Sequence, residues 1–450
     1  MELNARSRAR NILDDEIAEL DRTEPRWRLE DVEANRSQIP GKQNSAPVTV
    51  AVFSLLPKNW NPAVRDELEK LPPPLDLSAE RVAKLIAELN GVEPALRKAR
   101  ELKDMPIGRH KIQYAPDWIG TLIPDQQNVR ESAKLLDLDV CRAALGKEMS
   151  QAWESNRALL NCGRSLGDEP LLISSLIRLA IDAMAVNSLE RTLALAEFPL
   201  DHLQERQKAL EEESSAPLFM TGIRGERAGC DFLLTNIETG KIRLLRTLNN
   251  VGRRNKTQES DWWDDVSEFF AYSMVLNSHA TILRFETAMI GACELPPGQR
   301  LNALLRIEAS IKSEIAPGDR SQIMARLLLP AVVRVAEAEA RVQSHLACGV
   351  AGLAAERYRL LHGRWPNSLD ELAQAGNLKS IPLDHFDGNP LRFRRTADGI
   401  VIYSIGRQGS YDGKALDDLA SFDPEAQRTE FRLWDLDQRR QPAKDDKSTD

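Results

Sequence analysis

Aromatic side chains are scarce in this chain, 5% of 450 residues, so a folded core has to be built mainly from Leu, Ala, Ile and Val. The five cysteines, Cys141, Cys162, Cys230, Cys293 and Cys348, form no CxxC or CxxH pair. That spacing excludes the usual zinc signatures, and an odd, scattered set does not make a disulfide framework. They read as small buried hydrophobes, with the redox compartment left open. The six histidines, at positions 110, 202, 279, 345, 362 and 385, show no HExxH or other paired spacing, so a zinc hydrolase has no visible ligand set. GxxxxGKS/T and GxGxxG are missing too, and the glycine-rich stretch Gly222 to Gly229 has the wrong spacing and no preceding strand for a phosphate loop.

There is no excess of basic charge. Sixty Lys and Arg face 68 Asp and Glu, a formal net charge of −8, and no nucleic-acid partner is expected from that balance. No uninterrupted apolar window reaches the roughly 18 residues of a membrane span, and Met1 to Arg6 lack the apolar core of a signal peptide. The most apolar run, Leu171 to Val186, carries Arg178 and Asp182 at the i, i+4 spacing of a helix ion pair, which predicts a buried core helix.

What is present is mostly helical. Hydrophobic residues at 42% and charged residues at 28% are ordinary for a globular chain. Ser78 predicts an N-cap for a helix whose Val82, Leu85, Ile86 and Leu89 fall at i, i+3, i+4 and i+7. Pro106, Pro116 and Pro124, with His110, Tyr114 and Trp118 between them, predict an irregular crossing segment over 104–127. Further helices are expected around 128–145, 147–165, 171–197 and 201–213, then from Ser260 or Asp261 to the Pro296-Pro297 pair, and over 298–314. Residues 227–250 are ambiguous. Glu211 to Glu213, with Arg224, Glu226 and Arg227, read as solvated helix faces. Trp262 and Trp263 flanked by Asp261, Asp264 and Asp265 resemble a glycan-site composition, but a helix start favours acids and an amphipathic helix favours buried Trp.

From Gly363 the apolar period switches from helical to alternating. The expected division is a helical body over 1–320, a connecting helix over 321–362 with Pro330 as a kink or a break near its beginning, a small α+β domain over 363–436 and a disordered tail over 437–450. The α+β part should hold a short helix at 367–374 and three antiparallel strands, with Asp398-Gly399 in the hairpin turn. The fold class is therefore mainly α: an irregular multi-helix bundle followed by a small α+β domain with a three-stranded antiparallel sheet.

The order of words in this tail, YRLLHGRWPNSLDEL, then IPLDHFDGNPLRFRR, then GIVIYSIG and a loop rich in Gly and Asp, resembles the globular domain of the major pseudopilins of type II secretion. The matching residues are Tyr358, Gly363, Trp365, Pro366, Leu369, Leu372, Pro382, Asp384, Phe386, Gly388, Pro390, Tyr403, Ser404 and Gly406. The resemblance covers about residues 355–435. It implies the fold of that portion and a calcium site in the acidic loop, for which Asp412, Asp417 and Asp418 are the candidate ligands. Gln408 stands where that family has Asp, which favours a loop that has lost its ion. The charged helical body that precedes the tail departs from a filament pilin, and the whole chain resembles uncharacterised bacterial helical proteins carrying such a tail.

No catalytic or cofactor-binding residue is assigned. The expected function is a non-enzymatic structural or protein-interaction role with a protein partner, associated with a bacterial envelope or secretion-type assembly. Localisation would be at the envelope if an N-terminal anchor lies outside this chain, and cytoplasmic otherwise. The alternative is a helical enzyme whose site is assembled from distant residues, with 104–127 and 261–265 as its walls.

Overall fold

The computed structural model describes residues 2–243, 261–316, 319–329, 332–417 and 429–442. The body contains α1 (Glu2–Thr23), α2 (Leu29–Ala34), α3 (Ala46–Leu55), α4 (Val64–Glu69), α5 (Ala79–Asn90), α6 (Glu93–Arg100), α7 (Asp125–Leu145) and α8 (Met149–Arg164). It continues through α9 (Leu172–Leu195), α10 (Leu200–Ser214), α11 (Leu218–Glu238), α12 (Asp261–Cys293), α13 (Gln299–Glu314) and α14 (Ile323–Leu328). Helix α15 (Val332–His362) leads to α16 (Leu369–Gln374) and an antiparallel sheet ordered β1 (Arg392–Thr396), β2 (Gly399–Tyr403), β3 (Glu430–Trp434). The chain is thus mainly α with one small antiparallel sheet, as its periodicity predicts.

Local chemistry sets many of the boundaries. The Ser78 hydroxyl accepts from the Arg81 amide and caps α5, and the Ser368 hydroxyl does the same for α16 by accepting from Glu371. The Glu371 carboxylate reaches back to the Asn367 amide at 2.6 Å and receives the Tyr358 hydroxyl at 2.5 Å. This capping arrangement ties the end of α15 to the start of α16. Residues 105–124 form no regular helix, in keeping with their prolines. Pro330 lies outside the described residues.

The glycines of 222–229 serve packing. They lie on α11, which runs unbroken through the stretch that the sequence leaves ambiguous up to Glu238. A Cβ on Gly225 would stand 1.8 Å from the Pro170 carbonyl oxygen, and one on Gly229 would stand 2.0 Å from the Trp118 indole. Only glycine lets the start of α9 and the crossing segment lie this close to a helix. The same helix corrects one expectation: Arg227 is fully buried, donating to Glu24 at 2.6 Å and Thr287 at 3.0 Å. Glu213 is likewise buried, between Arg164 and Arg178. Charge runs look solvated in sequence because the partner that buries them comes from another helix.

The apolar run near residue 171 forms α9. It is the one described helix long and apolar enough to cross a membrane, and 61% of its apolar window is buried inside the protein. Arg178 pairs with Glu213 at 2.6 Å rather than with Asp182. Asp182 is fully buried, and burial pushes its carboxyl well above the usual range, with Glu213 adding to the effect.

The sheet has no core to itself. Trp365, Leu369, Leu372, Ile400, Ile402, Phe431 and Leu433 belong to the same hydrophobic cluster as Leu136, Leu159, Val186 and Leu353 of the body. A Cβ on Gly352 would stand 2.3 Å from the Phe431 ring, so α15 is notched where β3 lies on it. The Arg432 amide donates to Glu190 of α9 at 2.8 Å. On the outer side Asp384 is wholly buried and collects the Ser404 hydroxyl at 2.8 Å, the Ile405 amide at 2.9 Å and the Arg392 guanidinium at 3.0 Å. That hub explains physically why Asp384, Ser404 and Arg392 are needed together. Gly399 opens β2 instead of occupying the turn: Ala397 and Asp398 make the two-residue loop, and a Cβ on Gly399 would meet the Leu433 carbonyl at 1.9 Å.

Residues 439–442 correct the expectation of a disordered 437–450 segment; 443–450 lie outside the described residues. Arg439 donates to Glu356 at 2.8 Å, and Arg440 donates to the carbonyls closing α7, Ala144 at 2.6 Å and Leu145 at 3.2 Å. Gln441 pairs its backbone with Pro74 and Asp76. Polar composition alone misses this, because two guanidiniums supply the helix-end and carboxylate contacts that apolar residues would otherwise have to replace.

Truncation after Gln438 should therefore destabilise the whole chain relative to truncation after Pro442, by roughly 1.5–3 kcal/mol for the lost charged hydrogen bond to Glu356, which keeps its pairing with Arg359. Equilibrium urea unfolding of both truncations checks this. Gly352→Ala should cost roughly 1–3 kcal/mol through overpacking against Phe431 even though Ala is the better helix former. A stability equal to the parent would show that β3 is not seated on α15.

Candidate functional site

The crossing segment forms one wall of a cavity of about 370 Å³, whose other walls come from 37–39, 164–169, the start of α9 and 216–221. These elements meet because Gly108 and Gly167 pass each other closely: a Cβ on Gly167 would lie 2.2 Å from the Gly108 carbonyl oxygen. At one end Asp168 accepts the Ser37 amide at 2.7 Å and the Arg36 guanidinium at 3.3 Å. Arg36 is itself buried, and also donates to Glu33 at 3.1 Å and the His110 carbonyl at 3.2 Å. Next to it Glu169 receives the Ser174 hydroxyl at 2.5 Å, and Gln126 donates to that same hydroxyl at 2.7 Å. At the other end Arg164 and Arg178 each place Nε 2.6 Å from Glu213.

The two adjacent carboxyls are driven apart. Burial pushes Glu169 up to about 7, against the opposing pull of Ser174 and Arg36. Burial acts on Asp168 in the same sense, but the Ser37 amide and Arg36 outweigh it and hold that carboxyl below its usual value. One group can thus hold a proton near neutrality while its neighbour stays ionised, the arrangement from which acid and base roles are made. Nearby, His110 sits with Nδ1 3.4 Å from Asp125, and burial lowers its pKa despite that carboxylate. The sequence signals only the segment 104–127; Glu169, Asp168 and Arg36 lie in stretches without a motif and are brought together by the fold.

The calcium candidates do not converge among the described residues. Asp417 is held by Arg432 at 2.7 Å and Arg394 at 3.0 Å, so its charge is already matched by two guanidiniums. Asp412 is exposed and pairs with Lys414 at 2.7 Å, and Asp418 lies outside the described residues. No group of three or more His, Cys, Asp or Glu suited to a metal occurs among the described residues. Asp261, Trp262, Trp263, Asp264 and Asp265 begin α12, and their side chains lie outside what is described. The five cysteines are buried and free.

A second polar constellation joins α11, α12 and α1. His279 is buried with Nδ1 2.7 Å from Glu238 and Nε2 3.0 Å from Asp231, and Arg10 of α1 donates to Glu238 at 3.1 Å. Burial alone would lower the histidine pKa, yet the hydrogen bonds to both carboxylates raise it. Two acceptors facing one ring need both nitrogens protonated.

Set beside known protein families, curated proteins and solved structures, the chain finds no match.

Both constellations give stability the same dependence on pH. His279 binds its second proton more tightly in the folded chain, so that contribution is complete below about 6.5 and is lost as pH rises through the higher folded value. Glu169 is also raised, and ionising it on passing about 7 removes stability in the same direction. His110 and His385, whose pKa values burial lowers, act in the opposite sense, so the change on substitution isolates each group: the fall of melting temperature with rising pH that His279 and Glu169 contribute should be lost in His279→Gln and in Glu169→Gln. Scanning calorimetry of parent and variants from mildly acidic to mildly alkaline buffer checks it; a pH dependence unchanged in either variant would contradict that assignment.

Proposed function

We propose that this chain is a structural or interaction protein that docks a protein partner on α3. The observation that carries the reading is the character of that helix. Ala46–Leu55 contains no charged residue. Ala46, Val48, Thr49 and Val52 are buried in the body, yet Val50, Phe53 and Leu55 stand 38%, 41% and 49% exposed. A helix that is apolar on every side belongs inside a structure, so its open side is suited to burial by something else. The resemblance of the tail to pseudopilin heads supports a partner within an envelope or secretion-type assembly. The docked sheet supports it further, because it stiffens the body that would present α3.

The test is photocrosslinking in cells with a crosslinking side chain in place of Phe53, in the parent and with Val50→Asp. A discrete protein adduct that disappears in Val50→Asp, without loss of melting temperature, is expected. Adducts with lipid alone, or none, would overturn the reading.

A second reading, an enzyme at the cavity of the crossing segment, is favoured by one specific observation: the Asp168 and Glu169 carboxyls, adjacent in sequence, are held in opposite protonation preference. A metabolite-pool turnover assay of purified parent and Glu169→Gln distinguishes it, since only catalysis at that cavity would be lost with the single oxygen-to-nitrogen change.

A further inference from the structure

A larger cavity lies between α4, α7 and α9. Its volume is about 600 Å³, well within the range of about 300–1,000 Å³ that small-molecule sites occupy. Leu68, Leu71, Pro73, Leu138 and Met184 supply apolar wall, and the Asp137 carboxylate lines the same space. Among the described residues no hydrogen bond or ion pair reaches Asp137; Arg191, Arg65 and Glu69 act on it only through space.

The two cations that act on it, Arg191 and Arg65, are engaged elsewhere, and Lys70, the third cation on the wall, is exposed to solvent. Arg191 donates through Nη2 to the carbonyls of Leu68 at 3.2 Å and Leu71 at 2.5 Å, and through Nη1 to Pro72 at 3.4 Å, closing the end of α4. Arg65 pairs with Glu69 at 2.9 Å. The Ser188 hydroxyl, also on the wall, accepts from Asn156 and donates to the Ala185 carbonyl. A half-buried carboxylate without a partner is costly to keep ionised beside apolar walls. A divalent metal needs about six oxygens; of the three carboxylates on this wall Glu69 is already paired with Arg65, and they form no metal-suited group among the described residues. An anion would meet Asp137 itself and an arginine whose donors already face carbonyls. A cation with a hydrocarbon body fits both the charge and the walls.

We propose that this cavity binds a small primary amine, its ammonium group paired with Asp137 and its hydrocarbon body against Leu138 and Met184. This goes beyond the docking role of α3 and does not depend on it. The charged or titratable groups around Asp137 are Arg65, Asp66, Glu69 and Lys70 on the α4 side, Arg191 on α9 and Cys141 on α7. The Cys141 thiol is pushed up to about 12 by burial and stays neutral. Asp137 is pushed up to about 6 by burial, against the pull of Arg191 and Arg65. The amine is held by the ionised form, so binding should strengthen as pH rises through that value and weaken below it.

Isothermal titration of the full chain with hexylamine, hexanol and hexanoate tests the proposal. Hexylamine should give a saturable one-site heat, weakened roughly tenfold or more in Asp137→Asn, as expected for loss of a charged hydrogen bond. Asp137→Asn removes an unmatched charge, so it should melt no lower than the parent. Met184→Trp, which fills the apolar wall and leaves Asp137 in place, should abolish the hexylamine heat. The proposal is overturned if hexylamine gives no saturable heat, if Asp137→Asn binds it as tightly as the parent, or if hexanoate binds more tightly than hexylamine, which would make Arg191 the anchor.

Discussion

The structure depends on the seating of β3 against α15 and α9. Phe431 occupies the space that a side chain at position 352 would fill, and the neighbouring Arg432 amide is taken by Glu190. With that contact made, the sheet's inner face completes the body's hydrophobic cluster. Without it, Ile400, Ile402, Phe431 and Leu433 would face water on a three-stranded sheet too small to bury them alone. The same junction aligns α15 so that Glu356 meets Arg439 and the chain's return to α7 can follow.

A chain poor in aromatics holds its helices together with guanidiniums as well as aliphatic packing. Arg36, Arg164, Arg178, Arg227, Arg432 and Arg439 each join carboxylates or carbonyls from elements far apart in sequence. Removing one member of such a buried pair leaves an unmatched charge, so these contacts fix geometry strongly even where their net contribution to stability is modest. They also create the polar character of the interior. Glu169 and Asp168 differ in protonation because burial dominates at Glu169, whereas the Ser37 amide and Arg36 outweigh it at Asp168. Asp137 differs from all of these in lacking a partner.

Most of the secondary structure was legible in the sequence, because its causes are local. Ser78 and Ser368 cap helices, prolines break the 104–127 segment, alternating residues mark β1 and a short apolar run marks β2. Where the cause is a distant residue, the sequence was silent or misleading. Arg227 and Glu213 look like solvated charges until Glu24, Arg164 and Arg178 arrive from elsewhere. Arg439 and Arg440 sit in a polar segment, and their partners on α7 and α15 are set by tertiary folding. Gly225 and Gly229 could be counted but not interpreted, since Pro170 and Trp118 reach them only through the fold. The cavities follow the same rule: the crossing segment was visible as a wall, whereas the pairing of Glu169 with Ser174 was not, and Asp137 carries no motif.

Native-state hydrogen exchange of the full chain, followed amide by amide in mild denaturant, tests most directly whether tail and body share one core. Amides of Val401 and Ile402 in β2 should open with the same free energy and denaturant dependence as those of Val186 and Leu189 in α9, because both are released only by global unfolding. Exchange of the β2 amides at a clearly lower free energy, with α9 still protected, would show that the sheet unfolds as an independent unit and would contradict the account.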